Sequence, residues 1–153
     1  MKTRLTLLAI VLIAVVSFAF ISIEKTNESE EAVKALVTKA YINGAFNKLD
    51  AESMEDGFHP DFAIYSPKGT EISKYPIADW VAGVKKRRAD SYDPNAEKNK
   101  WDHKFAAVDV TGHAAQVKVQ LYNQGKHVFT DYLSLLRFED DWKIVAKVYY
   151  RHK

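Results

Sequence analysis

Proton transfer at the carbon beside a carbonyl needs two side chains together: a carboxylate to take the proton, and a donor such as a phenol to hold the oxygen as it gains charge. The chain carries both types close to segments of alternating hydrophobicity. Asp61, Asp109 and Asp131 are the carboxylates nearest to predicted strands, and Tyr41, Tyr65, Tyr132 and Tyr149 are the phenols available to them. No spacing fixes a pair. Asp61 and Asp131 are the two candidate bases, and each has a structural duty to set against that role. Asp61 follows Pro60 in a turn, where an aspartate commonly bonds its own backbone. Asp131 falls on the same strand face as Lys147 and Tyr149, nearly opposite them, which suggests an ion pair with a phenol beside it. The same pair would serve equally to fix strand register or to form a dimer face.

His59 stands in a His-Pro-Asp turn, and because histidine is the side-chain type suited to proton transfer near neutral pH it is a candidate acid or base at a cavity mouth, or a turn histidine bonded to backbone. His103, His113, His127 and His152 are scattered over the strands and their ends without a chelating spacing, so neither a metal nor a cofactor is expected. There is no cysteine, which excludes disulfides, thiol chemistry and lipid attachment through sulfur. The run Lys85-Lys86-Arg87-Arg88 is the most conspicuous charge feature. At the end of a helix such cations suit the dipole and a solvated face, with contact to an anionic lipid or ligand as the alternative. Aromatic residues make up 12% of the chain, and a flat heterocyclic or apolar ligand would be held by stacking on them. The expected ligand-binding set is Tyr41, His59, Tyr65, Trp80, Tyr132 and Tyr149, whereas Phe46, Phe62 and Trp142 read as plain core.

The elements that must position these residues follow from periodicity. Val33, Leu36, Val37, Ala40, Tyr41, Gly44 and Ala45 recur at spacings of three and four, which predicts a helix over 29–48 with Ser29 as its N-cap. A short helix over 51–56 is capped by Asp50 and ends at Gly57. An extended piece follows at 62–66, and a third helix covers 77–88. After Lys100 the period becomes two: strands at 101–110 and 113–122 flank Thr111-Gly112, and strands at 128–138 and 142–151 flank Glu139-Asp140-Asp141. The first hairpin is expected to pair Val110 with His113. The second matches Trp142, Ile144, Ala146 and Val148 with Phe138, Leu136, Ser134 and Tyr132. Three helices before four long antiparallel strands make an α+β domain.

The chain opens with Lys2 and Arg4 and then runs uncharged from Leu5 to Ile23. That is the pattern of an export signal, and its length also suits a membrane anchor. Residues 1–23 are therefore expected to be a signal peptide or anchor, 24–29 a polar linker and 30–153 the folded domain, periplasmic or secreted, or tethered if the segment is kept. Lys2 and Arg4 carry the whole formal charge of +2. The domain itself is neutral, which argues against nucleic acid as a partner.

The order helix, short helix, His-Pro-Asp, strand, helix and meander resembles the nuclear transport factor 2-like fold. Phe58-His59-Pro60-Asp61-Phe62, Val108-Asp109-Val110-Thr111-Gly112-His113-Ala114-Ala115, Thr130-Asp131-Tyr132-Leu133-Ser134-Leu135-Leu136 and Trp142-Lys143-Ile144-Val145-Ala146-Lys147-Val148 resemble its bacterial branch named for lumazine binding. The likeness covers residues 30–150. It implies a curved, mainly antiparallel sheet wrapped round three N-terminal helices, a cone-shaped cavity, and a homodimer packed through the sheets. Binding proteins and isomerases, dehydratases and cyclases share this fold, so fold does not choose among them. The leading expectation is an exported small-molecule-binding domain without catalysis. The alternatives are an enzyme using a cavity carboxylate and a tyrosine, and a protein-interaction module.

Overall fold

The computed structural model of the chain describes residues 28–153. The expected export segment, 1–23, lies outside those residues, as do positions 24–27 of the expected linker. The first helix, α1, is residues 28–47, so Ser29 lies within it and does not cap it. Its first part is α-helical, and Val37–Asn47 is wound as a π-helix, closed by the Lys48 N–H donating to the Asn43 carbonyl at 2.8 Å. Wider winding turns less per residue. Ile42, which a 3.6-residue pattern leaves off the apolar face, is accordingly buried beside Val37 and Tyr41.

Helix α2, Ala51–Gly57, starts as expected: the Ser53 N–H donates to the Asp50 side chain at 3.2 Å. A Cβ on Gly57 would stand 2.3 Å from that of Ala40, so only glycine lets α2 lie this close to α1. Helix α3 is Ile77–Ala89. Its basic run does more than complement a dipole. Arg87 donates to the Ala45 carbonyl at 3.0 Å and Arg88 to that of Leu49 at 3.3 Å. The Ala45 carbonyl lies in the last turn of α1 and that of Leu49 in the link to α2, so the run clamps α3 to the end of the π-wound segment and the link that follows it. Lys85 instead pairs with Glu55 at 2.7 Å.

Six strands form one sheet: β1 Phe58–Lys68, β2 Glu71–Pro76, β3 Trp101–Thr111, β4 Ala114–Asn123, β5 Lys126–Phe138 and β6 Asp141–Arg151, in the order β2-β1-β6-β5-β4-β3. All neighbours are antiparallel except β1 and β6. The α+β class and the three helices agree with the sequence reading. β2 does not, because this short edge strand leaves Ile72 75% and Tyr75 42% exposed and so has no one-sided apolar pattern.

A turn set at Gly112-His113 and two bulges correct the expected registers. In β3–β4, Val110 pairs with Ala115 and not His113, and a shift between Phe105 and Ala107 flips the side chains along β3. Trp101 and Phe105 therefore pack on the core together with Val108 and Val110, although strict alternation puts them on opposite faces. In β5–β6, Ser134–Ala146 and Tyr132–Val148 pair as expected, while a bulge beside Leu135 moves the turn end to Arg137–Trp142 and Leu135–Ile144. The helices cover the face carrying Val117, Val119, Leu121, Leu133, Leu135 and Ile144, and the core lies between.

Candidate functional site

On that helix-facing surface two charged side chains interrupt the apolar rows. Asp131 sits between Val119 and Tyr149 across the strands, and Lys147 between Leu133 and Ile64. Burial of both is nearly complete, at 0% and 5% exposure. The Lys147 Nζ lies 3.0 Å from Asp131 Oδ1, the ion pair that strand alternation suggested. The phenol beside it comes from the helix layer. Tyr41, in the π-wound part of α1 and wholly buried, donates its hydroxyl to Asp131 Oδ2 at 2.5 Å and accepts from Lys147 at 2.5 Å. Amine, phenol and carboxylate thus form a continuous proton path without any heavy-atom movement.

Four rings enclose the ammonium. Its Nζ is 4.8 Å from the centroid of Tyr41, 5.1 Å from Tyr149, 5.7 Å from Trp80 and 5.9 Å from Phe129. Rings at this range attract a cation, more so where water is excluded. Trp80 is placed by contacts with Tyr41 at 6.0 Å, Phe58 at 5.6 Å and Phe62 at 6.1 Å. Tyr149, 40% exposed, is the wall of the cage nearest solvent. Burial pulls the Lys147 ammonium below its ordinary 10.5, against the raising effect of Asp131. Burial, followed by the charge and hydrogen bond of Asp131, pushes the Tyr41 phenol well above 10.0. Asp131 Oδ1 is buried, and its charged partner among the described residues is the Lys147 ammonium.

The expected ligand set divides. Tyr41, Trp80 and Tyr149 meet round Lys147; His59, Tyr65 and Tyr132 do not. Tyr65 and Tyr132 both pair with Val148, one residue beyond Lys147, so they lie on the opposite face of the sheet. Tyr132 is 43% exposed there and lies beneath the Lys118 ammonium. His59 stacks on Phe138 at 5.0 Å, and its Nδ1 accepts the Asp61 N–H at 3.1 Å, the backbone-bonded turn weighed above. The Asp61 side chain is 94% exposed, which removes it from the inner site. The sequence reading placed Lys147 only as an ion-pair partner and missed Phe129. Strict alternation gives the Lys147 face Lys143, Val145, Tyr149 and Arg151, and it is the bulge between Ile144 and Ala146 that brings Lys147 onto the face of Ile144.

Two further features complete the surroundings. An apolar groove of about 430 Å³ runs between α2, β1 and α3, lined by Phe58, Pro60, Ile77 and Val81 with Glu55 and Lys85 at its edge. Phe58 also touches Trp80, so it is the wall between groove and cage. Of the histidines read as scattered, His127 and His152 come together, their rings 3.8 Å apart and each Nε2 within 3.1 Å of the Thr130 hydroxyl.

Comparison with known proteins places this arrangement. Residues 28–150 match the model of the family described as "Putative lumazine-binding". Among curated proteins, Aldolase FrzH of Cladobotryum sp is 25% identical over 120 residues, 77% of this chain and 90% of that protein. Among solved structures, an NTF2-like protein of unknown function from Shewanella baltica OS155 superposes with a TM-score of 0.65 at 23% identity, covering 82% of this chain and 95% of that one. An NTF-2 like protein of unknown function from Silicibacter pomeroyi DSS-3 gives 0.64 at 25% identity, covering 83% and 98%. The chain has the nuclear transport factor 2-like fold and belongs to the family described as "Putative lumazine-binding".

Proposed function

We propose that the chain acts on a small carbonyl compound by proton transfer at the adjacent carbon, with Asp131 as the base and Tyr41 as the donor to the oxygen. The observation that carries this reading is the buried carboxylate itself. Asp131 has no exposed surface, its Oδ2 accepts from Tyr41 and its Oδ1 lies 3.0 Å from the Lys147 ammonium, and a buried carboxylate joined to a phenol and an amine is placed to exchange protons with both. Lys147 balances the charge and supplies a proton to the phenol as negative charge moves onto the substrate oxygen. The aldolase name of the similar Cladobotryum protein supports the same class, since an aldol reaction passes through an enol or enolate. Incubation in deuterated water with a panel of small aldehydes, ketones and β-dicarbonyl compounds tests it by NMR. Deuterium entering the carbon beside the carbonyl faster than in buffer is the expected result; no acceleration across the panel contradicts it.

The second reading is binding without turnover. It is favoured by the complete burial of Tyr41 and Asp131 and by the flat rings of the cage, which suit a heterocycle of the kind the family description names. A heterocycle that binds wild type and Asp131→Asn equally, with no exchange in either, would establish it. We further propose that residues 1–23 direct export, and that the outer row of Tyr65, Val148 and Tyr132 supports homodimer packing. N-terminal mass analysis of envelope fractions and light scattering test these two.

A further inference from the structure

We propose that Lys147 is a nucleophile that captures an aldehyde or ketone carbonyl as a covalent imine. This rests on the carbonyl reading above and adds a bond to it. Among the described residues Lys147 is the only buried lysine. Its surroundings are those of a desolvated amine: four aromatic rings with Nζ within 5.9 Å of each centroid, one phenol at 2.5 Å and one carboxylate at 3.0 Å. Asp131 faces this amine directly, its Oδ1 3.0 Å from Nζ, with Tyr41 bridging the amine to Oδ2.

The chemistry balances within these three groups. One proton passes from the ammonium to Asp131, directly to Oδ1 or through Tyr41 to Oδ2, which leaves a neutral amine beside a neutral acid. Burial favours the neutral amine at Lys147, against the opposing charge of Asp131. The amine lone pair then forms the N–C bond as the carbonyl π bond opens, and the oxygen takes a proton from Tyr41, which is resupplied by Asp131. The carbinolamine loses its hydroxyl as water when a second proton reaches that oxygen from the same path. That second proton is the one the nitrogen gives to Asp131 as the neutral carbinolamine forms, so Asp131 ends as a carboxylate beside the protonated imine. Amine and carbonyl become imine and water, with nothing oxidised or reduced. A protonated imine keeps its positive charge but has one N–H, and the rings that attract the ammonium attract that cation equally.

The test uses the full chain with acetaldehyde or acetone at neutral pH, in the presence of cyanoborohydride, followed by peptide mass mapping. Exposed lysines are almost wholly protonated at that pH, and each unit by which an amine's pKa falls raises its neutral fraction about tenfold. Lys147 is expected to be alkylated at least about tenfold faster than the mean of the exposed lysines, and Asp131→Asn and Tyr41→Phe are expected to slow it. Equal or slower labelling at Lys147 in the wild-type chain, which needs no variant to fold, overturns the proposal. If deuterium exchange occurs but Lys147 is not trapped, the imine fails and the acid–base reading stands. If neither is seen, both fall.

Discussion

Asp131 and Asp61 are the two carboxylates that the sequence offers as bases, and the molecule treats them in opposite ways. Asp61 stands at the rim of the sheet with its side chain 94% exposed, 3.7 Å from the His59 ring nitrogen. Asp131 has no exposed surface and is fixed by a phenol from α1 and an ammonium from β6. The same functional group is thus a solvated turn residue in one place and part of a dry proton path in the other. Environment, more than residue type, decides which carboxylate does chemistry.

The largest effect should come from breaking the inner pair. Lys147→Met or Asp131→Ala alone leaves an uncompensated buried charge and is expected to lower the unfolding free energy by about 3–5 kcal/mol. The double variant Asp131→Ala/Lys147→Met should recover most of that loss, and denaturant titrations of all four chains measure the coupling. Simple additivity would mean that the pair is not the unit described.

Next in size, Tyr41→Phe removes a donor from a buried carboxylate and should cost about 1–3 kcal/mol. It should also change the alkaline limb of stability. In the native chain the Tyr41 phenol keeps its proton where the unfolded chain has lost it, so its contribution holds below the ordinary value of 10.0 and is lost as pH rises through its raised native value. Lys147 works in the other sense. Between its lowered native value and 10.5 the unfolded chain binds a proton that the native chain does not, so Lys147 adds stability as pH rises through that window. Phenolate absorbance should show one of the eight tyrosines ionising only with unfolding, and Tyr41→Phe should abolish that late component.

At the rim the expected effects are smallest. Asp61→Asn and His59→Ala touch an exposed turn and should leave the denaturation midpoint unchanged within error. A loss comparable to that of Tyr41→Phe would erase the contrast between the two regions.

The contrast was partly legible in the sequence. Alternation along β5 and β6 put Asp131 and Lys147 on one face, because a hairpin register with a short turn is a local property. The same rule misplaced Trp101 and Phe105, since a single bulged residue in β3 reverses every side chain beyond it. Tyr41 was legible as a core-facing helix residue and a candidate phenol, but without a partner. Its meeting with Asp131, ninety residues away in sequence, depends on how α1 packs on the sheet and on a π winding for which a 3.6-residue pattern has no signal. The roles of Arg87 and Arg88 were hidden for the same reason, since their acceptors belong to another helix.

The most direct measurement is the rate of deuterium incorporation beside the carbonyl of the best panel compound, for Asp131→Asn and Asp61→Asn side by side. The inner-site account predicts that Asp131→Asn falls to the buffer rate while Asp61→Asn keeps the wild-type rate. Retained exchange in Asp131→Asn, or its loss in Asp61→Asn, would contradict it.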